Sequence, residues 1–211
     1  MKRLIVLLFV FNTLVVFSQT DQKAKSILDQ VSQKTKAYQS ITVDFLFIMD
    51  NAEVELHEVS KGKILIQGNA YKLNFSGYEI FSDGTTQWTY VKDANEVNIS
   101  DASNADESVI NPATIFTIYE QGYTNTYLGE FTTDSKKTYK IEMIPSEVGE
   151  FSKLILEIDQ NTYQIVSAVM TSDSNTYTIK VTSMDTLKNY PASTFVFDTK
   201  KHSDVDVIDM R

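Results

Sequence analysis

Few residues in this chain have the types and the spacing that catalysis or metal binding requires. His57 and His202 are its two histidines, and it contains no cysteine. The histidines lack the short spacing of metal ligands, and no nucleophile motif or glycine-rich phosphate loop is present. Nearby acids such as Glu53 and Glu55 are expected to be solvated charges. The sequence therefore predicts no catalytic residue, no metal site, no cofactor and no enzymatic activity.

The N-terminus has the pattern of a secretory signal. Lys2-Arg3 precedes an apolar run over 4–17, and Ser18 is a small residue placed just before a cut at Gln19. The run is shorter than the ~20 apolar residues of a membrane-spanning helix. We therefore expect a cleaved signal peptide over 1–18 and one exported domain over 19–211, with an uncleaved anchor as the alternative.

Charge narrows the range of partners. The chain carries a formal net charge of −9 at pH 7, and removing Lys2 and Arg3 would make it more acidic. Nucleic-acid backbones and anionic membrane surfaces are bound by clusters of Lys and Arg. We therefore expect no nucleic-acid partner.

Asp204, Asp206 and Asp209 lack the turn glycine and final glutamate of a calcium loop, and we interpret them as the charge of a polar tail.

The periodicity of apolar residues predicts one helix followed by many strands. The helix is expected to begin at a cap on Thr20 or Asp21 and to end near Gln39, because apolar residues recur there at three- and four-residue spacing. From Ile41 the period changes to two, as in β-strands. Short turn signals favour antiparallel hairpins over a parallel sheet, and Phe195–Phe197 closes the series of roughly ten strands. The first strand presents one apolar face formed by Ile41, Val43, Phe45, Phe47 and Met49.

A second helix interrupts the strands. Asn111-Pro112 predicts its start, and Ile115, Phe116 and Tyr119 form its apolar side. Two helices are too few to cover every strand of a large sheet. The sheet must therefore either close around a filled interior or leave an apolar hollow under the helices, and the pattern alone leaves both alternatives open.

Several short motifs, in their order along the chain, resemble the LolA-like family of outer-membrane lipoprotein carriers from Gram-negative bacteria, and the versions from Bacteroidetes most. The most specific motif is Ser82-Asp83-Gly84 followed by Trp88 and Tyr90, which predicts a tight hairpin with two aromatic residues on one face. Other matching motifs are Gly62-Lys63-Ile64, Tyr71-Lys72-Leu73, Asn111-Pro112 through Phe116, Phe195-Val196-Phe197 and Ile208-Asp209-Met210-Arg211.

This resemblance implies a mainly β fold with an α lid. The expected architecture is an incomplete, unclosed antiparallel β-barrel of about ten or eleven strands, with helices covering a hydrophobic cavity. The implied function is that of a monomeric periplasmic chaperone that binds the acyl chains of lipoproteins. It would take them from an inner-membrane ABC transporter to an outer-membrane acceptor. A related carrier of lipid or glycolipid and an exported hydrolase with two unmarked acids are the alternatives.

The resemblance also implies a set of cavity residues. In the family an Arg-Pro pair follows the second strand, and its arginine helps to hold the lid shut; the matching place here reads Gly68-Asn69, so this latch is not expected. The residues expected to line the cavity are Phe45, Phe47, Leu73, Phe75, Trp88 and Tyr90 on the sheet, and Ile115, Phe116 and Tyr119 on the lid.

Overall fold

The computed structural model describes residues 14–104, 122–202 and 204–211 of the chain. Within these ranges it shows one α-helix, α1 (Leu14–Ala37), and twelve strands in a single sheet. Short 3₁₀ turns lie at Ala102–Asn104, Ala192–Phe195 and Thr199–Lys201. The strands are β1 (Ile41–Asn51), β2 (Leu56–Gln67), β3 (Ala70–Phe75), β4 (Tyr78–Ser82), β5 (Thr86–Val91), β6 (Glu96–Asp101), β7 (Tyr123–Thr133), β8 (Lys136–Pro145), β9 (Lys153–Asp159), β10 (Ile165–Ser172), β11 (Asn175–Asp185) and β12 (Asp206–Asp209).

The sheet is unclosed, and it consists of two runs of hairpins, β1–β6 and β7–β11, that are joined where β1 pairs with β11. The order is β12-β6-β5-β4-β3-β2-β1-β11-β10-β9-β8-β7. Every neighbouring pair is antiparallel except β12 and β6, which run parallel. The expectation of a mainly β, unclosed antiparallel architecture is therefore confirmed, and β12 adds one parallel pair at an edge.

Alternation along the strands divides the sheet into two faces. Val43 lies opposite Ile64, and Ile64 lies opposite Leu73, so their side chains share one face. This face, which we call the helix-side face, forms one buried core with the apolar side of α1. The residues that α1 contributes to this core are Ala24, Ile27, Leu28 and Val31. The opposite face is called the outer face below.

The C-terminal segment crosses the outer face. The backbone N–H of Tyr190 donates to Gln67 Oε1 at 2.9 Å, and Gln67 Nε2 donates to the Tyr190 carbonyl at 3.0 Å. Further along, Phe197 packs against Phe81 and Val97 in a second, smaller core. The sheet is thus covered on one side by α1 and on part of the other by residues that follow β11.

Aspartate side chains fix two of the hairpin turns. Asp83 Oδ1 accepts from the backbone N–H groups of Thr85 and Thr86, both at 2.8 Å. Asp159 Oδ1 accepts from the N–H groups of Asn161 and Thr162 in the same way, at 2.8 and 3.0 Å. These bonds satisfy donors that the ladders leave free, which is why Asp is favoured at such positions.

Three expectations about elements need correction. The helix does not begin at Thr20 or Asp21, because α1 extends upstream to Leu14 and the preceding turn supplies the acceptors that a cap would provide. Phe195 and Phe197 are buried as expected, but a 3₁₀ turn after Pro191 replaces the predicted strand. The polar tail forms β12, which pairs with β6.

Candidate functional site

Five aromatic residues form a continuous row on the helix-side face. Phe45 contacts Phe75 with ring centroids 5.9 Å apart, and Phe75 contacts Phe47 edge-on at 5.2 Å. Phe47 then contacts Tyr177 at 5.9 Å, and Tyr177 contacts Phe151 at 6.0 Å. We call these five residues the aromatic row. Two of these contacts are tilted and two are edge-on, and edge-on contacts are among the arrangements that aromatic rings prefer.

Gly62 makes the close packing of this row possible. It lies directly between Phe45 on β1 and Phe75 on β3. A Cβ atom at Gly62 would lie 2.1 Å from Phe45 Cζ, well inside van der Waals contact. The missing side chain therefore leaves the space over β2 in which the ring of Phe45 lies and meets Phe75.

Burial changes along the row. Phe45 is 2 % exposed and belongs to the core beneath α1. Phe47, Phe75, Tyr177 and Phe151 are half-buried and pack against that core from its margin. The row therefore passes from a filled core to an apolar surface that the described residues leave partly open.

Three tyrosine phenols of this face are neutral. Burial raises the pKa of the Tyr123, Tyr127 and Tyr139 phenols, and the charge of Glu130 adds to this effect at Tyr127 and Tyr139. These phenols are therefore protonated at physiological pH. Asn125 Oδ1 is buried without a hydrogen-bond partner in the described part of the chain. Aromatic side chains beside neutral phenols suit an apolar ligand rather than an ion.

Four of the predicted cavity residues are brought together on this face. Phe45, Phe47 and Phe75 belong to the aromatic row, and Leu73 is buried beside them in the same core. Gly68 and Asn69 form the turn between β2 and β3, with Gly68 at a φ of +60°. They follow the second strand, at the place where the resemblance would put an Arg-Pro pair.

Trp88 and Tyr90 do not join the other four. Leu73 on β3 pairs with Ile80 on β4, and Ile80 in turn pairs with Thr89 on β5. Thr89 therefore lies on the helix-side face, and the residues on either side of it point to the outer face. There Trp88 and Tyr90 pack with Phe81, Val97 and Phe197, and they are left out of the binding proposal below.

The predicted lid residues and the two histidines lie outside the aromatic row. Ile115, Phe116 and Tyr119 lie outside the described residues, so the lid and the cavity beneath it stay predictions of the sequence. His57 is exposed and lies 2.6 Å from Asp50, atom Nδ1 to atom Oδ1. His202 stacks on Phe197 with ring centroids 4.6 Å apart. In 22–103, 122–202 and 204–211 there is no group of three or more potential metal ligands.

The sequence comparison decides the family. A family model described as outer membrane lipoprotein carrier protein LolA matches residues 14–174. The chain belongs to this family. The matched region thus extends from α1 to the β10–β11 turn and includes every residue of the aromatic row except Tyr177. The comparison with curated proteins finds no match.

Solved structures share the fold of this LolA-family chain. An uncharacterized conserved protein from Thermus thermophilus has a TM-score of 0.63 at 14% identity, covering 89% of this chain and 99% of its own. The Mycobacterium tuberculosis lipoprotein LppX has a TM-score of 0.54 at 15% identity, covering 81% of this chain and all of its own length, 100%. LprF from Mycobacterium bovis has a TM-score of 0.51 at 16% identity, covering 81% and 96%. At these identities the likeness shows a common fold.

Sequence reasoning missed three members of the site. Tyr177 shares its strand face with Ile179 and Val181, and the alternation in β11 already marked that face as apolar. Phe151 lies in the loop before β9, where no periodicity exists to indicate its direction. Gly62 was part of a matching motif, but its role depends on the cross-strand register with Phe45 and Phe75.

Proposed function

We propose that this protein binds acyl chains of lipoproteins along the aromatic row and carries them from the inner to the outer membrane. The proposal includes export to the periplasm after removal of residues 1–18, an inner-membrane ABC transporter as donor and an outer-membrane acceptor. The observation that carries it is the half-buried part of the row, Phe47, Phe75, Tyr177 and Phe151, which leaves aromatic surface partly open at the margin of the core. Membership of the lipoprotein-carrier family supports the cargo.

The physical basis is the transfer of apolar surface out of water. Each CH₂ group that leaves water contributes about 0.8 kcal/mol, so a fatty acyl chain gains strongly from contact with aromatic side chains. A carrier must also release its cargo, and a face that is only half-buried holds the chain less tightly than a sealed core. Partial burial of the row therefore fits transfer between two membranes better than permanent storage.

A charge-insertion variant tests where the acyl chain binds. Phe47→Glu places a carboxylate in the middle of the row, whereas Val59→Glu places one on the outer face at a residue that is 51% exposed. We expect the affinity for a synthetic triacylated cysteinyl peptide to fall at least about tenfold in Phe47→Glu and to stay within about twofold in Val59→Glu. Phe47→Ala, checked by urea unfolding, provides a variant without a buried charge. Equal affinity in all four proteins would contradict the proposed face.

Cells distinguish lipoprotein carriage from related functions. Depletion of the protein should leave outer-membrane lipoproteins in the inner membrane. Correct sorting after depletion, together with acyl binding in vitro, would instead favour the related lipid- or glycolipid-binding function, since the same apolar face accepts any acyl chain. We propose a non-catalytic role, and release of a cleaved lipid product during incubation would favour the hydrolase hypothesis.

A further inference from the structure

A second concave site lies on the outer face, opposite the aromatic row. It is an open pocket of about 580 Å³ between β3–β4 and the C-terminal segment over 193–202. Phe81 and Phe197 contribute apolar surface, with ring centroids 5.7 Å apart. Lys72 also belongs to the lining, and its Nζ lies 4.4 Å from the centre of the Phe81 ring. The pocket therefore lies between the sheet and the segment that crosses it.

Positive charge exceeds negative charge around this pocket, in contrast to the acidic chain as a whole. Its lysines are Lys72, Lys200 and Lys201, and its acids are Glu79 and Asp198. Lys201 Nζ lies 3.5 Å from Asp198 Oδ2, whereas Lys200 has no carboxylate within 4.0 Å among the residues that the structure describes. A net positive lining in a protein of net charge −9 favours an anionic ligand.

The acids of the pocket are already engaged by lysines. Glu79 accepts from both sides, because Lys72 Nζ lies 3.4 Å from Oε2 and Lys92 Nζ lies 3.0 Å from Oε1. Partial burial alone would raise the pKa of Glu79, but these two ammonium groups outweigh burial and hold the pKa below its usual value. Glu79 thus lies between two lysines, and the three side chains Glu79, Lys72 and Lys92 together carry a net charge of +1.

Hydroxyl groups indicate which anion fits. Ser193, Thr194 and Thr199 line the same pocket, and their side chains can donate hydrogen bonds to an oxyanion. A phosphate ester offers several acceptor oxygens to lysines and hydroxyl groups at once. The volume of about 580 Å³ also leaves room for the group to which the phosphate is esterified, against Phe81 and Phe197.

We propose that this outer-face pocket binds a phosphate ester, with Lys200, Lys201 and Lys72 supplying charge and the three hydroxyl residues supplying donors. The site is separate from the acyl-binding face, because Lys72 and Phe81 lie on the opposite side of the sheet from Leu73 and Ile80. The phosphate ester can come from a soluble metabolite or from a phospholipid headgroup, since both present the same chemistry to the pocket.

Binding of two probes tests this site. Glycerol 3-phosphate represents the soluble ester, and phosphatidylcholine vesicles containing phosphatidic acid represent the headgroup, with pure phosphatidylcholine vesicles as background. The test variant is Lys200→Gln with Lys201→Gln, and both lysines are exposed. The control is Lys136→Gln with Lys137→Gln, two consecutive exposed lysines on β8 that carry the same charge outside the pocket.

We expect at least one probe to bind the wild-type protein at low ionic strength, and its binding to weaken at about 0.15 M salt. The Lys200/Lys201 variant should lose at least about tenfold in affinity, and the Lys136/Lys137 control should stay within about twofold of wild type. Binding of glycerol 3-phosphate would assign the soluble ester, and binding to acidic vesicles alone would assign the headgroup. The proposal is overturned if neither probe binds, or if the two paired variants lose affinity equally.

Discussion

Replacing Gly62 by alanine tests the packing that shapes the aromatic row. The new Cβ would lie 2.1, 2.5 and 2.7 Å from Phe45 Cζ, Cε2 and Cε1. Phe45 is buried in the main core, so its ring has little space into which it can move. Overpacking of a well-filled core costs typically about 1–3 kcal/mol. Because three ring atoms are contacted at once, we expect a loss in the upper half of that range, about 2–3 kcal/mol in the free energy of unfolding.

Urea unfolding followed by tryptophan fluorescence measures this loss. Gly149→Ala is the matched control, because nothing lies within 4 Å of a Cβ at that position. A double variant, Gly62→Ala with Phe45→Ala, removes the ring that the new methyl group would strike. We expect the effect of Gly62→Ala to shrink by about 2 kcal/mol in that background, as coupled neighbours do. The reasoning is refuted if Gly62→Ala matches Gly149→Ala, or if the two substitutions are additive.

Two further predictions concern the C-terminal segment. Gln67→Leu removes both hydrogen bonds to the Tyr190 backbone. We expect the free energy of unfolding to fall by about 1–3 kcal/mol and proteolysis after Lys188 to become faster. The control, Gln33→Leu on the exposed side of α1, should change neither quantity. The side-chain and backbone hydrogen bonds from Arg211 hold the pKa of Asp209 at about 2, below its usual 3.8. This pairing contributes stability above the usual pKa and loses it as pH falls towards 2. Arg211→Gln should raise the pKa of Asp209 towards 3.8 in a carboxyl NMR titration, and an unchanged value would show that the pair is not formed.

Strand periodicity predicts which residues share one side of a strand, but it does not predict which side faces α1. The alternation from Ile41 to Met49 correctly placed Val43, Phe45 and Phe47 on one side of β1. The same rule placed Trp88 and Tyr90 together, as the structure has them. It does not say which of the two sides faces the helix, because that depends on the register that links Leu73 to Thr89 through two hairpins.

Segments without periodicity were the least predictable. Phe195 and Phe197 are buried as a strand would bury them, but Pro191 precedes a 3₁₀ turn, and two apolar residues are too few to define a period. The strand β12 carries all four residues exposed, so no apolar face marks it, and its pairing with β6 follows from backbone hydrogen bonds alone. The function of Gly62 likewise depends on contacts across three strands rather than on its neighbours in sequence.

The described part of the chain contains no helix long and apolar enough to cross a membrane. The proposed carrier function depends on how the surface of the protein covers an acyl chain. In that account the half-buried end of the aromatic row, formed by Phe47, Phe75, Tyr177 and Phe151, provides the cover. The outer face, with Val59 and Trp88, takes no part.

Photo-crosslinking of an acyl chain to the protein tests this division most directly. A triacylated cysteinyl peptide with a diazirine near the end of one acyl chain would be bound, irradiated and mapped by peptide mass spectrometry. The account predicts crosslinks at Phe47, Phe75 and Tyr177. Crosslinks concentrated at Val59 or Trp88 on the outer face would contradict it. Crosslinking that persists in the presence of excess triacylated peptide without the diazirine would also contradict it.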